Sequence, residues 1–475
     1  MSHIVLTLFM AGVLCLSVPS SANEVSVGNV QFSNRNSTSQ TVNVQFDLDW
    51  ENSWRNNTNH DAVWVFIKYS SDSGSTWKHA TLKTSGLNPS GFSTGSGTAV
   101  EISVSSDKKG AFVRRSQNGV GSVSVSDLEF VWDYGTDGLT ASSNARVKVF
   151  AVEMVYVPSG SYKFGDNAGS SASAKQGSSD NDPWQIISSS SISVSNSVSN
   201  GSYYVSGGNS GEASTGSSFS ISSSFPNGYS AFYVMKHEIS EGAWVDFFNT
   251  LNSAQKLNRD ITAAVGKNSD GTVNRNTVSW ITGNATTSRP DRACSYLSWM
   301  DGAAFADWSA LRPMTEMEFE KAARGSGVDA NSGEFAWGTS LITQALAVSG
   351  SEDGTETVST ADANAVYGNI SFAGGDGGSG PLRAGIFATD ESTKSKASSG
   401  FYGVLDLSGN LSERTVTIGN AAGRTFSGTH GDGELSVVSN YEGNATNSDW
   451  PGIDSNSSRG VTGASGSGLR GGSWA

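Results

Sequence analysis

The sequence predicts a β-rich, loop-heavy α+β protein of about two to three domains, and three observations carry that reading. Apolar and polar residues alternate at a period of two through much of residues 24–150, as half-buried strands require. Helical stripes occur only beyond residue 240, in three short stretches. Segments dominated by Gly, Ser and Asn lie between them, and such residues favour turns over regular structure. The chain is nevertheless built to fold: 13 Trp, 12 Tyr and 21 Phe need burial, which a disordered chain does not provide.

Residues 1–22 read as a secretion signal. An apolar run from Ile4 to Val18 is followed by Pro19 and the small residues Ser20, Ser21 and Ala22, a pattern suited to signal peptidase. The run is too short to span a bilayer. Its leading residues carry His3 but no Lys or Arg, and Val13-Leu14 before Cys15 argues against a lipoprotein anchor. The expected location is therefore secreted, periplasmic or cell-surface, with no membrane span in the mature chain. Residues 23–150 are expected to form an accessory β-sandwich-like domain. Val42, Val44, Phe46 and Leu48 alternate with polar neighbours, and Ala62–Tyr69 is apolar enough for a central strand. Further strands are expected at 99–105, 122–132 and 145–152.

Residues 151–475 form the second expected domain. Its stretch 166–228 reads as a Ser/Gly-rich insertion in which Trp184–Ile187 and Ser202–Val205 could pair as short strands. Trp244, Phe247, Phe248 and Leu251 make one helical face, with Ser240 available as cap. Leu297, Met300, Ala304 and Trp308 make a second stripe. Thr315 and Glu318 form a capping box for a third helix, Met314 and Phe319 occupy the staple positions, and Gly325 stops it.

A net charge of -14 repels phosphate backbones, which excludes nucleic acid as the expected partner. Cys294 is the one cysteine beyond the leader, so no internal disulfide is expected, and a small buried apolar role suits it. His3, His60, His79, His237 and His430 show no metal-ligand spacing. Gly91–Gly95 matches a nucleophile-elbow pattern and Gly375–Gly380 a GxGxxG pattern, but neither opens a helix, so both read as loops. Glu316, Glu318 and Glu320 read as helix-surface and capping charges. No catalytic residue is assigned.

Seven segments then occur in a characteristic order: Met154–Gly165, Tyr233–Ser240 with the helix after it, Leu297–Trp308, Leu311–Gly325, Phe335–Gly338, Gly403–Glu413 and Leu469–Trp474. Together these resemble the formylglycine-generating enzyme, or sulfatase-modifying factor, family over residues 152–475. The resemblance implies a C-type-lectin-like fold with few short helices and long loops. It also implies calcium at Asp406 and Glu413 through side chains and at Gly409 and Leu411 through carbonyls; hard oxygen ligands of that kind suit calcium. A solvated loop with Glu413 paired to Arg414 is the plain alternative. A second calcium is implied near Asn369, Ile370 and Asp376. Where the family has Trp before this Glu, Ser412 stands here.

In that family two cysteines just past the Gly-Gly-Ser motif hold copper(I) and oxidise a substrate cysteine. The sequence given stops at Ala475, so copper is not expected for this chain. The leading expectation is a non-catalytic ligand-binding, adhesion or display scaffold for a protein or glycan at the cell exterior. The alternatives are a truncated copy of a cysteine-modifying oxidase and a structural component of an extracellular assembly.

Overall fold

The computed structural model describes residues 4–7, 16–17, 25–166, 174–175, 182–262, 273–327, 331, 333–389 and 392–475. It is mostly sheet, with five short α-helices among the described residues. Two antiparallel sheets share a core in the N-terminal part. The smaller runs in the order Val25–Asn36, Thr41–Arg55, Gly119–Trp132, Ser93–Gly97. The larger centres on Asp61–Ser70, flanked by Ala111–Arg115 on one side and Arg146–Val157 on the other. Alternation sends Val42, Val44, Phe46, Leu48 and Trp50 inward against Val63, Val65, Ile67 and Tyr69, the inward set of each pleat. Ser93–Gly97, part of the segment expected as a loop, pairs as an edge strand with Gly119–Trp132. That confirms that no helix follows Ser93 as a nucleophile elbow needs.

Asp61–Ser70 is buried at every position because its second face is covered too. Trp64 and Phe66, with Phe150, Val152 and Met154 of the neighbouring strand, pack on Trp244, Phe247, Phe305 and Trp308. Phe66 meets the Trp308 ring edge-on at 5.1 Å, and Trp64 Nε1 donates to the Ser309 carbonyl at 2.9 Å. Arg146–Val157 runs through residues 150 and 151. It pairs with Asp61–Ser70 over most of its length, from Arg146↔Ser70 to Val155↔Asp61, while Met154–Val157 also pairs with Phe232–Met235. One continuous sheet therefore joins the N-terminal strands to the helical part. A buried ion cluster lies at the same junction: Lys236 Nζ is 2.7 Å from Glu153 Oε2 and 3.6 Å from Asp61 Oδ2.

The helices are α1 (Glu241–Phe248), α2 (Ser253–Arg259), α3 (Trp299–Trp308), α4 (Glu316–Arg324) and α5 (Ala421–Arg424). The Ser240 side chain accepts from Ala243 N to start α1. Capping boxes start α3 (Ser298 with Asp301) and α4 (Thr315 with Glu318), satisfying N–H groups that the first turn leaves orphaned. α4 ends at Gly325, whose φ is +82°; a Cβ there would also strike the Phe401 ring. α2 is a helix the apolar pattern does not reveal, capped by Asn252 and Gln255.

In the Ser/Gly-rich insertion the two expected strands form, but with other partners. Trp184–Ile186 pairs with Tyr162–Phe164, and Tyr203–Tyr204 with Ala174–Lys175. Residues 167–173 and 176–181 of it lie outside the described residues. So does most of residues 1–24; of these, Val5–Thr7 pairs with Arg146–Lys148 and Leu16–Ser17 with Ile4–Val5.

Candidate functional site

The turn from Asp406 to Glu413 is tightly folded. Asp406, Gly409 and Asn410 have φ of +57°, +95° and +57°, the left-handed region that most residues avoid. At Gly409 a Cβ would lie 2.8 Å from the Val366 carbonyl, so glycine is required there. Backbone bonds tie the turn to the chain's last residues: Gly409 N donates to Gly471 O at 2.9 Å and Trp474 N to Asn410 O at 2.8 Å. Ser412 Oγ donates to Gly472 O at 2.8 Å.

Three carboxylates meet at this turn. Asp406 accepts a hydrogen bond from Gly385 N. Glu238, which sequence reasoning did not single out, accepts from Asn410 Nδ2 and Leu411 N, both at 2.7 Å. Glu413 Oε2 is buried without a hydrogen-bond partner. Burial pushes the Asp406 carboxyl up to about 6, against the Gly385 N–H and the His237 and Arg383 charges. Burial, then the charges of Asp406 and Glu413, push Glu238 well up. Burial and the Asp406 charge do the same to Glu413. Such mutual repulsion is what a bound cation relieves. Arg414 is not the counter-charge, since its Nε donates to Leu297 O at 3.0 Å. An orphaned carboxylate oxygen beside a second carboxylate is a donor set that fits a hard cation. Among the described residues no group of three or more His, Cys, Asp or Glu side chains is arranged to hold a metal, so a cation here would draw on carbonyl oxygens as well.

Asp376 sits in a different setting. Its Oδ1 is 2.6 Å from Arg275 Nη1 and its Oδ2 3.0 Å from Arg292 Nη2, and both arginines also pair with buried Glu352. Burial would raise the Asp376 carboxyl, but the Gly378 N–H and the two guanidiniums hold it below its usual value. Its charge is thus matched by protein groups. Asn369 is exposed and donates its N–H to Trp474 O at 2.6 Å, and Ile370 is half-buried.

Beside the carboxylate turn opens a cavity of about 920 Å³. Glu238, Leu411 and Glu413 line it, as do Met235, Leu297, Trp299, Leu311 and Leu407. Phe112 and Tyr233, stacked with ring centroids 3.8 Å apart, form another part of the wall. Tyr233 Oη accepts from Arg114 Nη1 at 2.8 Å and lies 2.9 Å from His60 Nε2. Cys294 also lines the cavity, but it is 3% exposed. Burial pushes its thiol well up, away from the thiolate that nucleophilic or copper chemistry uses.

The helices and turns that build this site coincide with the segments whose order resembles the sulfatase-modifying factors. A family model described as "Sulfatase-modifying factor enzyme 1-like domain" matches residues 140–475. The chain is similar to the formylglycine-generating enzyme of Thermomonospora curvata, 41% identical over 59 residues, which is 12% of this chain and 18% of that enzyme. The similarity thus spans under a fifth of the relative's length. No solved structure matches the chain. With the family model covering well over half its length, the chain belongs to the sulfatase-modifying factor (formylglycine-generating enzyme) family.

Proposed function

We propose that this is an exported binding protein, in which a C-type-lectin-like domain of the sulfatase-modifying factor type presents a ligand cavity at the cell exterior. The observation that carries the reading is the cavity of about 920 Å³ with a largely apolar wall and a few convergent polar groups, the usual make-up of a ligand site. The turn 406–413 holds calcium through Asp406 and Glu413, with carbonyls of Gly409 and Leu411, and so fixes the cavity's edge. Support for this comes from the partnerless Glu413 oxygen and the mutually raised carboxylates. Asn369, Ile370 and Asp376 are a weaker candidate for a second calcium, since Asp376 already faces two arginines. The N-terminal strands form a β-sandwich-like accessory domain. Export follows from the leader-like first 22 residues; N-terminal sequencing of the exported protein should begin at Asn23, and a retained Met1 would refute cleavage.

Family membership favours a second reading, an oxidase that modifies a partner's cysteine. That chemistry calls for soft thiolate ligands to copper(I), and burial pushes the Cys294 thiol well up, against the thiolate. An oxygen electrode separates the two readings. The 475-residue protein, given copper(I) and a cysteine-bearing peptide, should consume oxygen no faster than copper and peptide alone. Sustained, protein-dependent uptake would overturn the binding reading.

A further inference from the structure

The resemblance that implies calcium at the 406–413 turn also implies a second ion near Asn369, Ile370 and Asp376. A hairpin separates those three positions. Ser371 pairs with Ser379, and Phe372 N donates to Gly378 O at 3.2 Å. Asp376 lies in the tip that this pairing closes, whereas Asn369 and Ile370 lie outside it. Positive charge is already present at the tip. Arg275 Nη1 is 2.6 Å from Asp376 Oδ1, and Arg292 Nη2 is 3.0 Å from Asp376 Oδ2. Both guanidiniums also reach Glu352, Arg292 Nη2 lying 3.1 Å from its Oε1. The other Glu352 oxygen accepts from Asp376 N at 2.9 Å. Two carboxylates thus share two guanidiniums, whose forked donors satisfy the oxygens that a metal would otherwise claim.

The backbone is bent to put Arg275 there. Asn274 and Arg275 have φ of +45° and +64°, a left-handed pair that persists only where the surroundings impose it. Arg275 Nε donates to Pro381 O at 3.1 Å, and its guanidinium lies over the Phe372 ring at 5.1 Å. Its carbonyl accepts from Arg292 Nη1. Segments around 275, 292, 352 and 371–381 are thereby locked together, which is the work of a structural ion. The lock also backs the 406–413 turn, since Leu382 N donates to Asn410 Oδ1 at 2.9 Å and Gly385 N to Asp406. We propose that Arg275 and Arg292 stand in place of the second cation, so that this chain takes calcium at the 406–413 turn alone. The count of one ion rests on the calcium reading above; the arginine network does not. Two guanidinium charges equal the charge of one divalent ion, and a cation entering beside Asp376 would meet both at close range.

The test uses the full chain, counts bound calcium by equilibrium dialysis, and reads melting temperatures with calcium and with a chelator. The parent protein should bind one calcium and Asp406→Asn none. In the Asp406→Asn background, Arg292→Met leaves Glu352 and Asp376 with a single guanidinium between them. That change should lower the melting temperature by about 5 °C or more without calcium. Calcium should then restore about half of the loss or more. Adding Asp376→Asn removes the surplus negative charge and should abolish the calcium response. A response that persists places the ion elsewhere and overturns the proposal. So does an Asp406→Asn protein, its arginines intact, that binds one calcium and loses it on Asp376→Asn. A loss on Arg292→Met that calcium leaves unrepaired makes the arginines ordinary ion-pair partners, and the substitution for a cation fails. Where Arg292→Met does not fold, the Asp406→Asn count decides: none supports the proposal and one overturns it. A parent protein that binds no calcium sinks the turn reading, and the arginine variants then decide the proposal in the parent background.

Discussion

Glu413 and Asp406 show what burial does to carboxylates: each becomes easier to protonate, and the Asp406 charge adds to the cost of ionising Glu413. A divalent ion reverses that sign, because it favours both anions at once. Adding calcium at about 100 times its dissociation constant should stabilise the protein by about 2.7 kcal/mol, read as a higher melting temperature that a chelator reverses. Asp406→Asn keeps an oxygen for the Gly385 N–H but removes a charge. Without calcium this variant should melt at or above the parent protein; with calcium the parent should overtake it. A parent protein indifferent to calcium would remove the ion from the account. The Asp406 and Glu413 pair was visible in the sequence because both lie on one short turn. Glu238 was not, since it reaches the turn only through the tertiary bonds from Asn410 and Leu411, and no spacing rule links residues so far apart.

At the scale of elements, what the sequence made legible were the starts of helices and the faces of strands. Ser240 and Thr315, read as caps from the sequence, do cap α1 and α4. Ser298, which the sequence reading passed over, starts α3 in the same way with Asp301. α2 escaped notice because its sequence, SAQKLNR, has no apolar stripe; tertiary bonds such as Lys256 Nζ to Gly283 O at 2.7 Å hold it. The Trp184 and Tyr203 strands were legible as strands but not as to partners, because two- and three-residue strands carry too little pattern to fix pairing. The α3 capping box offers a separation of effects. Ser298→Ala removes a cap and should cost about 1 kcal/mol. Asp301→Ala removes the reciprocal bond and also strands buried Arg259, whose Nη1 lies 2.9 Å from Asp301 Oδ1. That loss should be about 3–5 kcal/mol. Urea denaturation midpoints would compare them, and equal costs would show that the Arg259 pair contributes nothing.

For the whole molecule, the decisive feature is the strand Arg146–Val157. Its alternation was readable, but alternation cannot say that its second half would take on Phe232–Met235 while still pairing with Asp61–Ser70. The strand joins the larger N-terminal sheet to Phe232–Met235 of the matched domain, with Trp64 and Phe66 packed on α1 and α3 and the Asp61–Glu153–Lys236 ion cluster buried at the join. The same arrangement brings Phe112 to Tyr233, so the cavity's wall is complete only when both parts are folded together. That is the central claim, and scanning calorimetry of the full chain tests it most directly. One endotherm is predicted, with the calorimetric and van't Hoff enthalpies in agreement. Two separable transitions, with the N-terminal strands melting apart from the rest, would contradict it.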